Sequence, residues 1–240
     1  MKYNIDLHVH SVASQHAYST IEEIARQANK KGIKAFAITD HGPNAPDAPY
    51  RYYFSNLRVI PNYIDGVRIY KGIEANIISE KGEIDLGDND LNKLDIVLAA
   101  FHKNTGYNHE TYDKNTNAVI NGIKSGKIDV LAHMGHPLFQ LNYELAVKTA
   151  KEYNTAIEIN NSSFTGSRKG GEKNCHEIIK LAKKYGCFIS LGSDSHISFC
   201  VGELFESIKL IEQYDYDQNL IINQSMEFLE NFLKNRKKVK

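Results

Sequence analysis

Short, almost wholly apolar runs alternate with amphipathic stretches along the whole chain. The runs at Asn4 to His8, Ala35 to Thr39, Val67 to Ile73, Ile96 to Ala100, Val130 to Ala132, Ala156 to Ile159 and Phe188 to Leu191 have the length and composition of buried strands. Between most of them the spacing of apolar residues predicts helices, at about Asn117 to Lys124, Tyr143 to Tyr153, Cys175 to Tyr185 and Glu203 to Tyr214, with a last one over Ser225 to Leu233. Ser19-Thr20-Ile21-Glu22 has the S-x-x-E spacing of a capping box, and the helix it opens should run to about Lys31 and stop at Gly32. Asn76 to Asp90 is richer in Gly and Asp and reads as a hairpin or loop excursion. The basic end, Lys234 to Lys240, reads as a solvated tail.

Fully apolar strands alternating with helices imply a parallel sheet covered on its outer face. Seven such strands can close into a barrel or lie in an open doubly wound sheet. No G-x-G-x-x-G and no G-x-x-x-x-G-K-[ST] follows any strand, so the nucleotide-binding sheets lack their signature and the barrel is favoured. The expected fold is α/β, a TIM-like β/α barrel forming one domain over residues 1–240.

Composition changes this picture in a few ways. Lys+Arg 29 equals Asp+Glu 29, and the absence of a basic field argues against a nucleic-acid binder. No apolar run approaches the ~18 to 20 residues that cross a bilayer, and the N-terminus has no secretory apolar region. A cytoplasmic protein with no membrane partner is expected. Cys175, Cys187 and Cys200 are an odd count without C-x-x-C spacing and read as reduced thiols.

The chain has ten histidines and no tryptophan. The first strand ends in His8, with His10 after it; the second ends in Asp40-His41, the third in Glu74, the fourth in His102 and the fifth in His133. The sixth ends in Asn160-Asn161, and the seventh leads to Asp194 and His196. In a parallel barrel these C-terminal strand ends gather at one mouth. A lone histidine is usually structural. Seven of the ten (His8, His10, His16, His41, His102, His133, His196) fall at or just after strand ends, together with Glu74 and Asp194. Burying them together without partners would be costly, and bound cations remove that cost. Imidazole and carboxylate suit Zn²⁺, and Mn²⁺ or Fe²⁺ accept the same ligands. No cysteine joins the set, which disfavours a closed structural zinc site.

Asp6-Leu7-His8-Val9-His10, Thr39-Asp40-His41-Gly42, Gly72-Ile73-Glu74 and Gly192-Ser193-Asp194-Ser195-His196 resemble the signature blocks of the PHP (polymerase and histidinol phosphatase) family. The likeness is closer to its YcdX-like phosphatase branch, on the blocks Ser14 to Thr20, Gly72 to Ile77, Glu158 to Phe164 and Ser167 to Gly170. It spans about Asn4 to Leu233. The resemblance implies a distorted seven-stranded barrel holding three zinc ions. By position it implies His8, His10, Glu74 and Asp194 on one ion, His16, His41 and His196 on a second, and a bridging Glu74 with His102 and His133 on a third. The branch usually shows H-P-G-N-P after the fifth strand. Here His133-Met134-Gly135-His136-Pro137 stands instead, and His136 reads as an extra imidazole beside the site.

The implied activity is hydrolysis of phosphate monoesters on a small phosphorylated substrate, with a metal-bound hydroxide as nucleophile. Glu74, Asp194 and Arg168 are the catalytic candidates. Arg168 suits phosphate oxygens through its guanidinium fork, with Lys169 and Lys103 as weaker candidates. Asp40 reads as an acceptor orienting an imidazole or as a cap on the turn at Gly42. His109 and His176 read as surface residues, and Tyr50 to Phe54 as a packed aromatic loop. Competing readings are phosphodiesterase or exonuclease chemistry, histidinol-phosphate hydrolysis, and a metal-binding module without turnover. The resemblance suggests a homo-oligomer, a trimer, which no residue pattern shows.

Overall fold

A computed structural model describes residues 3–108, 110–165, 168 and 170–236. His109 and Lys169 therefore lie outside the described residues, as does most of the basic tail. The described strands are β1 (Ile5–Val9), β2 (Ala35–Ile38), β3 (Tyr63–Ile64), β4 (Val67–Asn76), β5 (Ile96–Ala100), β6 (Val130–Leu131), β7 (Ala156–Asn160) and β8 (Ile189–Gly192). Seven of them run parallel in the order β1-β2-β4-β5-β6-β7-β8, and β3 pairs antiparallel with β4. Every strand expected from the apolar runs is present; only the two-residue β3 was not foreseen.

The sheet curls until its first and last strands meet. Beyond the end of β8, Asp194 donates its N–H to the carbonyl of His8 (2.8 Å), and His10 donates to Ser195 (2.9 Å). The buried Asp6 carboxylate accepts from the Ser193 N–H (2.9 Å) and hydroxyl (2.5 Å) and from the Gly202 N–H (2.8 Å). At the other end of the seam a side chain replaces the missing ladder. The Asn223 amide donates to Ile5 (3.0 Å) and Leu191 (2.8 Å) carbonyls and accepts the Leu191 N–H. The result is a nearly closed, distorted β/α barrel, as the resemblance implied.

Two apolar layers follow from strand alternation. Ile5, Leu7, Ala37, Tyr70, Leu98 and Val130 fill the barrel interior. Phe36, Ile38, Ile69, Ile73 and Val97 face outward against helix residues such as Ile24, Ala25 and Ala28. Leu229 and Phe232 of the Met226–Asn235 helix join the inner layer, and Arg236 bonds the carbonyls of Gly126 and Ile128 just before β6. That helix therefore closes the barrel at the N-terminal ends of the strands. The opposite end is left open.

The first helix is Ile21–Lys31, ending at Gly32 in the left-handed conformation (φ 75°) that glycine adopts without strain. Its capping box is Thr20 with Glu23, one residue later than expected. The sequence satisfies both spacings, and tertiary structure decides between them: the Ser19 hydroxyl instead accepts the buried N–H of Ser198 (2.9 Å). Two other helices start earlier than their apolar spacing indicated, at Tyr112–Lys124 and Glu172–Tyr185. Part of the aromatic run coils into the short helix Tyr52–Asn56, with Tyr50 and Tyr52 exposed and Phe54 buried. No helix among the described residues is long and apolar enough to cross a membrane.

Candidate metal centre

Alternation carries most of the chemistry into the barrel mouth. On β4, Ile69, Ile73 and Ala75 face outward while Tyr70 faces in, so Glu74 also faces in. By the same parity His41 follows Ala37, His102 follows Ala100, Glu158 follows Ala156, and Asp194 follows Gly192. Two ligand candidates need more than parity. β1 carries an irregularity between Asp6 and Val9, two residues of β1 standing against one of β2. It turns Val9 into the outer layer although Ile5 and Leu7 lie inside. His8 and His10 are thereby aimed into the mouth, the re-aiming typical of bulges beside functional sites. His133 would face outward after inward Ala132; its backbone has φ +25°, and Asp194 has φ +58°. Non-glycine residues held in that region are characteristic of sites where side-chain direction is enforced.

All nine expected ligands meet there. The seven imidazoles form one continuous array, with ring centroids 5.1 Å apart for His8–His10, 4.4 Å for His10–His41 and His10–His196, 4.6 Å for His16–His196, 5.0 Å for His41–His102 and 5.4 Å for His102–His133. Glu74 sits among them, fully buried. Its Oε1 lies 2.6 Å from His133 Nε2 and 3.1 Å from His102 Nε2. Its Oε2 lies 3.0 Å from His41 Nδ1, 3.3 Å from His8 Nε2 and 3.5 Å from His10 Nε2, yet makes no hydrogen bond. Asp194 Oδ1 lies 3.2 Å from His10 Nε2 and 3.7 Å from His8 Nε2. Three groups bring a ligand atom from each member within 4.8 Å of the others: His8–His10–Asp194, His10–His41–His196 and His41–Glu74–His102. His41 thus stands between the sets that the resemblance assigned to separate ions.

The outer hydrogen bonds fix which nitrogen faces inward. His8 Nδ1 is 2.7 Å from Glu158 Oε1, His196 Nδ1 is 3.0 Å from the Asp194 carbonyl, and His16 Nδ1 pairs with Asp47. These partners only accept, so each Nδ1 carries a proton, and a ring that holds no second proton turns an Nε2 lone pair inward. His16 Nε2 and His196 Nε2 then face each other at 2.8 Å, and His8 Nε2 faces His10 Nε2 at 3.1 Å. Lone pairs so placed repel unless a proton or a cation lies between them. An oxygen-and-nitrogen donor set with this spacing fits divalent transition metals.

Electrostatics keep both ligand carboxylates ionised. Burial opposes ionisation of Glu74, but the imidazoles of His102, His8 and His41 hold its carboxyl well below the usual range. Burial likewise opposes Asp194, and Arg168, His8 and His10 reverse it. His10 is pushed well below its ordinary value by burial and by His41, and His133 is brought down to about 4 by burial and Arg168. At His8 burial is outweighed by Glu158, Glu74 and Asp194, which raise it well above its ordinary value, and Glu74 likewise raises His41. A cation bound among these carboxylates displaces such ring protons.

Arg168 donates to Asp194 Oδ2 at 2.7 Å and to Asn160 Oδ1 at 3.3 Å. It lines an open cleft of about 440 Å³ over the array, together with His16, His41, His102, Lys103, His136 and Ser162. Asp40 orients no imidazole directly, contrary to one expectation. It accepts from the N–H and hydroxyl groups of Ser11 and Ser14 and from the Tyr53 hydroxyl (2.6 Å), pinning the loop after β1. The Ser14 hydroxyl passes that order on, 3.4 Å from His10 Nδ1. His176 is half-buried and bonded to the Tyr214 hydroxyl (2.9 Å) rather than free on the surface.

The sequence reading named Glu158 in a block but gave it no task. It holds His8 through Oε1 and accepts the His133 N–H (3.0 Å) through Oε2. Asn76, whose Oδ1 is 2.7 Å from His102 Nδ1, and Asp47 serve other rings in the same way and were also missed. The available signal was a carboxylate in an otherwise apolar strand, since such a group demands a partner.

In this chain the open end of a β/α barrel thus gathers imidazoles and carboxylates from seven strand ends. The PHP domain model covers residues 6–164. A protein named "probable phosphatase" from Thermoanaerobacter sp. strain X514 is 44% identical over 238 residues, 99% of this chain and 97% of that one. Another of that name, from Shewanella sp. strain MR-4, is 48% identical over 236 residues, 98% of this chain and 93% of that one. This chain belongs to the PHP domain family. Among solved structures, a histidinol phosphate phosphatase from Lactococcus lactis, complexed with zinc, L-histidinol and phosphate, shares the fold with a TM-score of 0.63 at 15% identity, covering 90% of this chain and 95% of that one.

Proposed function

We propose that this protein hydrolyses phosphate monoesters of small molecules, using divalent metal ions held by His8, His10, His16, His41, Glu74, His102, His133, Asp194 and His196. The observation that carries the reading is the set of inward-turned lone pairs around an unbonded Glu74 oxygen, beneath a cleft open to solvent. The names of the full-length relatives support phosphatase chemistry, and the zinc, histidinol and phosphate of the Lactococcus lactis structure make phosphate a ligand of this fold. We take zinc as the metal and three ions as the number, in keeping with three close ligand groups.

Such ions, when bound, neutralise phosphate oxygens and lower the pKa of a coordinated water to about 7. The chain's own residues do the rest. Glu74 and Asp194 supply the negative charge that retains cations among neutral imidazoles. Glu158, Asn76 and Asp47 hold the rings in the ligating tautomer. Arg168 neutralises Asp194 from the cleft side, and its guanidinium edge is placed to grip a phosphate there. The mouth is open rather than sealed by protein, which favours turnover over a storage role.

Comparing a nitrophenyl phosphate monoester with the corresponding diester tests this reading. The expected result is monoester turnover at least about a hundredfold faster, since a diester lacks one of the anionic oxygens that the cations and Arg168 engage. Faster diester cleavage would favour the phosphodiesterase reading instead.

A further inference from the structure

His136 shares the cleft with the ligating imidazoles but is wired the opposite way. The backbone N–H of Leu138 donates to His136 Nδ1 at 3.2 Å. A backbone amide can only donate, so Nδ1 is the acceptor and the ring proton resides on Nε2. The rings of His8, His16 and His196 carry their protons outward and present lone pairs to the centre. His136 presents an N–H, and its Nε2 has no hydrogen-bond partner among the described residues. Its ring is held edge-to-face against Phe139, with centroids 5.5 Å apart, so its direction is fixed. Arg168 and Lys103 line the same cleft and likewise offer only donors. A wall built from donors beside a site for cations matches an anion with several oxygens.

We propose that His136 is a phosphate-binding residue, donating its Nε2–H to a phosphoryl oxygen on the side of the cleft shared with Arg168. This rests on the phosphatase reading and assigns one residue of the substrate site within it. It also excludes His136 from the metal ligands, because in this tautomer Nε2 has no lone pair to give. The residue is therefore a substrate contact that the ligand pattern alone would misassign.

The test uses Zn²⁺-loaded protein, inorganic phosphate as the probe, and the variants His136→Ala and His136→Asn. Leu138 is 40% exposed, so its N–H turns to water in either variant and the loop is not left with a buried orphan. Isothermal titration should show phosphate binding about ten- to a hundredfold weaker in His136→Ala, the range for a hydrogen bond to a charged group. His136→Asn, whose amide still donates, should recover most of it. Elemental analysis should find the same metal content in both variants as in the wild type. Unchanged phosphate affinity in His136→Ala would overturn the proposal. So would loss of metal from both variants, which would make His136 a ligand. A wild-type protein that binds no phosphate at all would sink the phosphatase reading and this inference together.

Discussion

Glu74→Ala is expected to lower monoester turnover by about a thousandfold or more, the several kcal/mol that bound metal supplies converted at about 1.4 kcal/mol per tenfold. Glu74 lies within 3.5 Å of a ring nitrogen from His8, His10, His41, His102 and His133. Without it His41, His102 and His133 lose the anion they share, and of the two ligand carboxylates only Asp194 remains, beside His8 and His10. The fold should survive. The interior layer of Ile5, Leu7, Tyr70 and Leu98 lies below the site and does not include Glu74. Steady-state kinetics with circular dichroism would check both parts. A folded Glu74→Ala protein with wild-type turnover would remove Glu74 from the mechanism.

Gly192→Ala should be nearly as damaging, although glycine carries no chemistry. Gly192 ends β8 facing the barrel interior. A methyl group there would press on Glu158 Oε1 and stand 2.5 Å from His8 Cβ. Those are the two groups whose 2.7 Å contact sets the His8 tautomer. Neither can retreat: Glu158 also holds the His133 N–H, and His8 is fixed by the irregular β1 backbone. Overpacking of this kind costs about 1–3 kcal/mol. Loss of the outer carboxylate's hold on a ligand costs a further tenfold to hundredfold in metal affinity or activity. The expected result is a lower melting temperature together with substoichiometric metal. A variant with normal melting and full metal content would show that the Glu158–His8 contact has room to spare.

Most of the site was legible because its residues are chemically conspicuous in their surroundings. Glu74 and His102 stand at the ends of apolar strands, and alternation alone turns them inward. His133 and the pair His8 and His10 were named on type and position, but what aims them is backbone geometry. A bulge in β1 and a positive φ at His133 leave no mark in composition. The outer partners were harder to see. Glu158, Asn76 and Asp47 act through contacts 150, 26 and 31 residues away in the chain, and only the closed barrel brings them to His8, His102 and His16. The barrel was expected, but not the way its seam is filled, where Asn223 occupies a gap between Ile5 and Leu191. The slip at the first helix came from a sequence, Ser19-Thr20-Ile21-Glu22-Glu23, that offers two overlapping capping boxes. His136 could be placed beside the site by position, but its task depends on which nitrogen holds the proton. A single backbone N–H decides that.

Metal content decides the central claim most directly. The protein as purified should carry more than one divalent ion per chain. Exhaustive chelation should abolish monoester hydrolysis, and re-addition of Zn²⁺ or Mn²⁺ should restore it. A chain freed of metal that still cleaves the monoester at its original rate would contradict the account.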